Sequence, residues 1–272
     1  MMSETANAPA PLLPVWQTFK TAYRESFGHL GRVYLLAWQP FAIAVFITFT
    51  TGFIDGFLRT GLLLTSTFGL YASYLTNAYF TLAFHRYQLF GWSKETSRLS
   101  FGFGRAERVF LLFATLTYLV FALPPVLLDR AGAIVGIMVW TALALCAVPV
   151  CIGLSLCFPA AADGQPRPVA LGWALGQGSW ARLLGLFVLC LIPPALVGAL
   201  IAPLEKAHPA ITPLINGIIS YPFSAAVVTA ICTSYKIKMG TRPREMQPPP
   251  EPGPQAAAPP AVPPNAWSRP SN

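Results

Sequence analysis

Six apolar runs separated by short polar segments set the pattern of this chain. They cover residues 33–54, 61–84, 109–128, 132–158, 183–203 and 212–235, and none holds an Asp, Glu, Lys, Arg or His. A helix needs about 20 apolar residues to cross the hydrocarbon core of a bilayer. Backbone polar groups in lipid must be satisfied within the segment, so runs of this length are predicted to be helices. Only Asp129, Arg130 and Ala131 separate the third run from the fourth, and residues 55–60 separate the first from the second. Links this short force antiparallel neighbours. The pattern therefore predicts an all-α, polytopic integral membrane protein with six transmembrane helices arranged as three hairpins.

The flanking segments carry a different pattern. Residues 1–14 are small and Pro-containing and are expected to be disordered. Over 15–32, Trp16, Phe19, Tyr23 and Phe27 recur at spacings of three and four opposite Gln17, Lys20, Thr21, Arg24 and Glu25. That is an amphipathic helix suited to the headgroup layer; docking on a soluble partner is the competing reading. A second interfacial candidate lies between residues 159 and 182, with Val169, Trp173 and Trp180, although Gly172, Gly176 and Gly178 weaken its helix propensity. The segment 236–272 opens with Lys236, Lys238, Arg242 and Arg244 and then carries 11 prolines, which predicts a disordered basic, then Pro-rich, tail.

Composition agrees with lipid as the solvent: 54% of residues are hydrophobic and 10% charged, against about 25% charged in ordinary soluble domains. The net charge of +8 raises the question of nucleic acid, and its distribution answers it. Of the 18 Lys and Arg residues, 15 fall before the first run, in the second and fourth links and after the last run. By the positive-inside rule these segments, with both termini, are cytoplasmic. Basic residues dispersed in this way, without a binding module, exclude nucleic acid and favour anionic lipid as the partner, with membrane proteins as a second class of partner.

One short pattern recurs at the boundaries. Gly28 to Arg32, Gly104 to Arg108 and Gly178 to Arg182 each read Gly-x-x-x-Arg followed by Val or Leu, with the arginines 76 and 74 residues apart. Arginine at such a boundary reaches phosphate while its stem stays in the apolar zone. Arg32, Arg108 and Arg182, with Trp16, Trp173 and Trp180, are therefore predicted membrane-interface anchors. A specific lipid-headgroup site is the sharper alternative.

Within the spans, Ser66, Gly69, Ser73, Asn77 and Thr81 form one small, polar stripe along the second helix. Helix packing is the first reading of such a stripe. A polar path along Ser66, Ser73, Asn77, Thr81 and Asn216 is the alternative. Prolines interrupt every span except the second, as in transporters with broken helices and in many ordinary membrane helices. The five cysteines all lie in apolar runs without a C-x-x-C pair, and the three histidines are far apart. No span holds a carboxylate and no catalytic motif is present, so no catalytic, cofactor or metal site is predicted.

Two stretches, Ala83-Phe84-His85-Arg86-Tyr87-Gln88-Leu89-Phe90-Gly91 and Gly178-Ser179-Trp180-Ala181-Arg182-Leu183-Leu184-Gly185-Leu186, carry a resemblance. In them, and in layout from about residue 15 to residue 238, the chain resembles a group of uncharacterised bacterial six-span inner-membrane proteins. These are similar to the membrane domain of glycerophosphoryl diester phosphodiesterases and to YciC-type proteins. The resemblance implies a multi-pass protein of the bacterial inner membrane and carries over no phosphodiesterase activity. The expected function is non-catalytic organisation of lipids or membrane partners. The alternative is a permease or lipid-handling transporter using the second span's polar stripe.

Overall fold

The computed structural model describes residues 13–59, 65–92, 104–122, 133–207 and 212–240. Among the described residues the chain is helical throughout, with no strand. The helices are α1 (Val15–Gly28), α2 (Leu30–Leu58), α3 (Leu70–Phe90), α4 (Arg105–Thr117), α5 (Ala133–Leu154), α6 (Cys157–Ala162), α7 (Pro168–Gly176), α8 (Trp180–Ala207) and α9 (Thr212–Gly240). Wider π-helical turns precede α3 at Thr65–Gly69 and follow α4 at Tyr118–Ala122. The two turns are joined, because the Tyr118 hydroxyl donates to the Thr67 carbonyl at 2.7 Å. The disorder predicted for 1–14 and 236–272 lies outside the described residues except at its inner edges, where Leu13 is buried and residues 236–240 form the last turn of α9, because the Lys236 ammonium is anchored on the Gln88 carbonyl.

Helix α9 is the hub, packing against α1, α2, α3, α6, α7 and α8. Its sequence permits this. Ala225, Ala226, Thr229, Ala230, Cys232 and Ser234 are small, so neighbouring backbones approach closely, and all are buried. Around it, Val33, Leu36, Ala37, Phe80, Phe84 and Tyr87 fill one side of the core. Leu156, Ala160, Leu175, Leu183 and Leu186 fill another.

Three described helices, Leu30–Leu58, Trp180–Leu204 and Gly217–Gly240, are long and apolar enough to cross a membrane. Their surroundings differ: 56% of the apolar stretch in α9 is buried in protein, against 6% in α2 and 11% in α8. Phe53, Phe57 and Leu200 are 77%, 81% and 81% exposed. A side chain of this size prefers an apolar surrounding by about 1.5–3 kcal/mol, so lipid is the solvent that α2 and α8 are built for. The residues predicted as the second, third and fourth spans begin or end outside the described residues.

Several boundaries differ from those drawn from the sequence. The interfacial helix ends at Gly28 rather than running to Arg32; the break falls at His29, and α2 takes up Leu30, Gly31 and Arg32. At its other end α2 runs past Ile54 to Leu58, placing Asp55 in a buried helical position rather than in an outer loop. A charge ends an apolar run on paper, but it does not break backbone hydrogen bonding. The same holds for proline: Pro40, Pro149, Pro193, Pro194, Pro203 and Pro222 all sit inside helices that continue through them. Membrane helices tolerate the lost hydrogen bond where neighbouring groups satisfy the freed carbonyl.

Candidate functional site

The second interfacial candidate folds as α7, and its glycines are the reason it packs where it does. A Cβ on Gly172 would collide with the backbone nitrogen of Cys157, and one on Gly176 with the carbonyl of Gly153. These positions, one helical turn apart, let α7 lie directly on the α5–α6 junction. The residue between them that counts is Trp173. Its ring lies over Gly153, where a Cβ would stand 3.0 Å from the ring edge.

Trp173 divides two hollows. The larger, about 660 Å³, is lined by Arg105, Val109, Leu154, Arg167, Val169 and Trp173 among others. The smaller, about 400 Å³, lies between Pro149, Val150, Gly153 and the indoles of Trp173 and Trp180, with Gly178 at its edge. Residues from the second and third copies of the Gly-x-x-x-Arg pattern thus border adjoining hollows, Arg105 beside one and Gly178 beside the other.

Two arginines reach the larger cleft from segments 62 residues apart. The Arg105 guanidinium donates a hydrogen bond to the carbonyl of Pro166, which ties the start of α4 to the residue preceding Arg167. Arg167 caps α7 and is exposed, with no ion pair or side-chain hydrogen bond among the described residues. Pro168 occupies the first helical position, where a missing N–H costs nothing. Val169 and Ala170, the next two residues, also line the cleft, and N–H groups in a first turn have no intrahelical acceptor.

The acid nearest in sequence is turned away. Glu107 is buried and accepts a hydrogen bond from Arg86 at 3.0 Å, folded over Gly104, where a side chain would collide with its carboxylate. Arg105 and Arg108, on either side of it, remain exposed. The cleft therefore has positive charge at its border, indole and aliphatic walls, and no carboxylate among the described residues that line it. The two lining arginines suit a phosphate or carboxylate group; the walls suit hydrocarbon.

No protein-family model, curated protein or solved structure matches the chain.

The other sequence-predicted residues lie apart from this cleft. Arg32 is exposed; its guanidinium hydrogen-bonds the Tyr87 hydroxyl at 2.9 Å and lies 5.8 Å from the ring centres of Tyr87 and Trp92. Arg182, half-buried at the start of α8, is near enough to Lys238 to repel it. Trp16 is exposed on α1, stacked on Phe19 and covered by Lys20. In α3, Ser73 and Thr81 donate to the carbonyls of Gly69 and Asn77, one turn back on their own helix, and Asn77 is exposed. The side chains of Ser66 and Asn216 lie outside the described residues. Neither of the two hollows beside Trp173 is lined by Ser73, Asn77 or Thr81. Arg105 and Arg167 escaped sequence reasoning because Arg105 fills an unspecified position of the Gly-x-x-x-Arg pattern and Arg167 lies in no pattern; only the fold brings them to one cleft.

One buried group has no use in this picture. His85 is fully enclosed, its Nδ1 2.7 Å from the Thr81 carbonyl, its ring edge-on to Phe110, and its Nε2 without a hydrogen-bond partner.

Proposed function

We propose that this chain is a non-catalytic, multi-pass protein of the bacterial inner membrane that organises anionic lipids, and through them membrane partners, at the cytoplasmic face. In this reading six helices form three hairpins with both termini in the cytoplasm, as in the bacterial six-span proteins that the sequence resembles. The observation that carries it is the contrast between two surfaces. Helices α2 and α8 present apolar side chains along most of their length. Arg32, Arg105, Arg108 and Arg167 are exposed near helix starts, where arginine reaches lipid phosphate. The transport reading draws less support, since the hydroxyls of Ser73 and Thr81 are spent on their own helix.

Two experiments test this. A reporter fused after Gly240 is expected to behave as cytoplasmic, and a periplasmic result overturns the six-span arrangement. The full chain, purified in nanodiscs formed from its own membrane, is expected to retain phosphatidylglycerol or cardiolipin in excess over zwitterionic lipid. Retention in proportion to the bulk membrane sinks the lipid-organising role.

A further inference from the structure

We propose that the cleft between α4, α5 and α7 is a binding site for one anionic glycerophospholipid of the cytoplasmic leaflet, its phosphate held by Arg105 and Arg167 and its acyl chain laid against Trp173. This rests on the lipid-organising reading and sharpens it to one site and one ligand class.

Arg105 is fixed at the Pro166 carbonyl, so a cation stands beside Arg167 without any acid to neutralise the pair among the residues lining the cleft. Two guanidinium groups left in this way attract an anion with several acceptor oxygens, and phosphate matches their planar donor geometry. The first-turn N–H groups of Val169 and Ala170 add dipolar attraction at the same end of the cleft.

Free phosphate would fill only a fraction of the space. The cleft measures about 660 Å³, inside the about 300–1,000 Å³ common for sites that enclose small organic ligands. Val109, Leu154 and Val169 supply its walls, which an inorganic anion would leave wet. An amphiphile satisfies both halves. The adjoining hollow of about 400 Å³ behind Trp173, lined by Pro149, Val150 and Trp180, offers a second apolar channel, as a two-chain lipid requires. An indole at this junction matches the preference of Trp for the boundary between headgroup and hydrocarbon. Leu154 ends α5, four residues before the predicted end of the fourth span at Phe158, which puts the cleft near headgroup level in the six-span reading.

The test uses the full chain in detergent micelles, titrated with phosphatidylglycerol bearing brominated acyl chains and, separately, with brominated phosphatidylcholine, reading tryptophan quenching. Phosphatidylglycerol is expected to bind more tightly, and Trp173→Phe is expected to remove the largest single share of the quenching. Arg167→Gln should weaken phosphatidylglycerol binding by about tenfold, the scale of one charge-assisted contact, while leaving phosphatidylcholine unchanged. Arg105→Gln should do the same, and Arg24→Gln, at an exposed position on α1 that does not line the cleft, should have less than about a twofold effect, as expected of a solvent-screened charge. Arg167 makes no side-chain hydrogen bond or ion pair among the described residues, so its variant tests the site even where Arg105→Gln fails to fold.

A phosphatidylglycerol preference that survives Arg167→Gln, or falls equally in Arg24→Gln, overturns the site and leaves the lipid-organising reading standing. Equal binding of both lipids by the wild-type chain overturns both. Loss of phosphatidylglycerol binding in millimolar inorganic phosphate, with quenching by phosphatidylcholine intact, identifies free phosphate as the ligand and overturns the lipid.

Discussion

The hydroxyls of Ser26 and Thr229 meet at 3.2 Å in a fully buried contact that ties α1 to the hub helix α9. Ser26 belongs to a row of small residues, Thr18, Ala22 and Ser26, spaced by four and buried against the bundle. The aromatic row Trp16, Phe19, Tyr23 and Phe27 stacks ring on ring beside it, with Trp16 and Phe27 exposed. One helix thus presents two faces to the bundle: a row of small residues packed on α9, and an aromatic row in which Tyr23 and Phe27 meet Phe223 of α9 while Trp16 stays exposed.

Ala22 is fully enclosed at the centre of that contact. Ala22→Leu is expected to destabilise the protein by about 1–3 kcal/mol, the usual result of forcing extra methylenes into a packed site. Thermal unfolding in detergent reads the loss, and accelerated tryptic cleavage at Lys20 and Arg24 localises it to α1. An unchanged melting temperature would mean that α1 does not pack on α9 in this way.

Tyr23, which joins α1 to α8, gives the docking of α1 a pH dependence. Its hydroxyl donates to the Cys190 carbonyl in α8 at 2.8 Å. Burial, with a smaller contribution from Cys190, raises its pKa above the ordinary value of 10.0. A raised acid pKa favours the docked helix fully below pH 10.0, and the benefit declines above it because detached α1 loses its proton first. Proteolysis at Arg24 should therefore quicken as pH rises through about 10 to 11, and Tyr23→Phe should flatten that rise. The variant should also lower stability by about 0.5–1.5 kcal/mol at neutral pH through the lost hydrogen bond.

The sequence made the apolar helices legible because lipid imposes one rule, a run long enough to cross, on every span. Helices α2, α8 and α9 contain the predicted runs 33–54, 183–203 and 212–235. Depth of burial was not legible: α2 and α9 are both apolar enough to cross a membrane, yet it is the less apolar α9, with its run of Ala, Thr, Ser and Cys, that draws other helices around it. The cleft was partly legible. Trp173 and Trp180 are recognisable in the sequence as interfacial aromatics, whereas Gly172 and Gly176, which weaken the helix on propensity, are what seat it. A glycine's low propensity is a local property. Its value here is the space it leaves for Cys157 and Gly153, which only the tertiary structure reveals.

That seating is open to a direct test. Gly172→Ala places a methyl group against the Cys157 backbone, which cannot yield as a flexible side chain would. A loss of about 2 kcal/mol or more is expected, because the gain in helix propensity, about 1 kcal/mol, is outweighed by displacement of α7. The emission of Trp173 should shift as its ring leaves Gly153, measured against a Trp173→Phe background. A stabilised Gly172→Ala variant with unchanged emission would place α7 elsewhere.

The ion pair between Arg86 and Glu107 separates an electrostatic from a packing role at the start of α4. The carboxylate is 7% exposed and the guanidinium 32%, so water reaches one partner. Removing the charge of Glu107 leaves Arg86 partly hydrated, and Glu107→Gln should cost about 1–2 kcal/mol, less than the roughly 3–5 kcal/mol of breaking a fully buried pair. Arg86→Met strands the buried carboxylate and should cost more than Glu107→Gln. Joining the two substitutions should recover part of the sum, because neither charge is then left alone. The cycle is read by thermal unfolding in a single detergent at two salt concentrations. Strict additivity, with no change on adding salt, would mean that Glu107 is held by packing beside Gly104 and that its charge does not fix the start of α4.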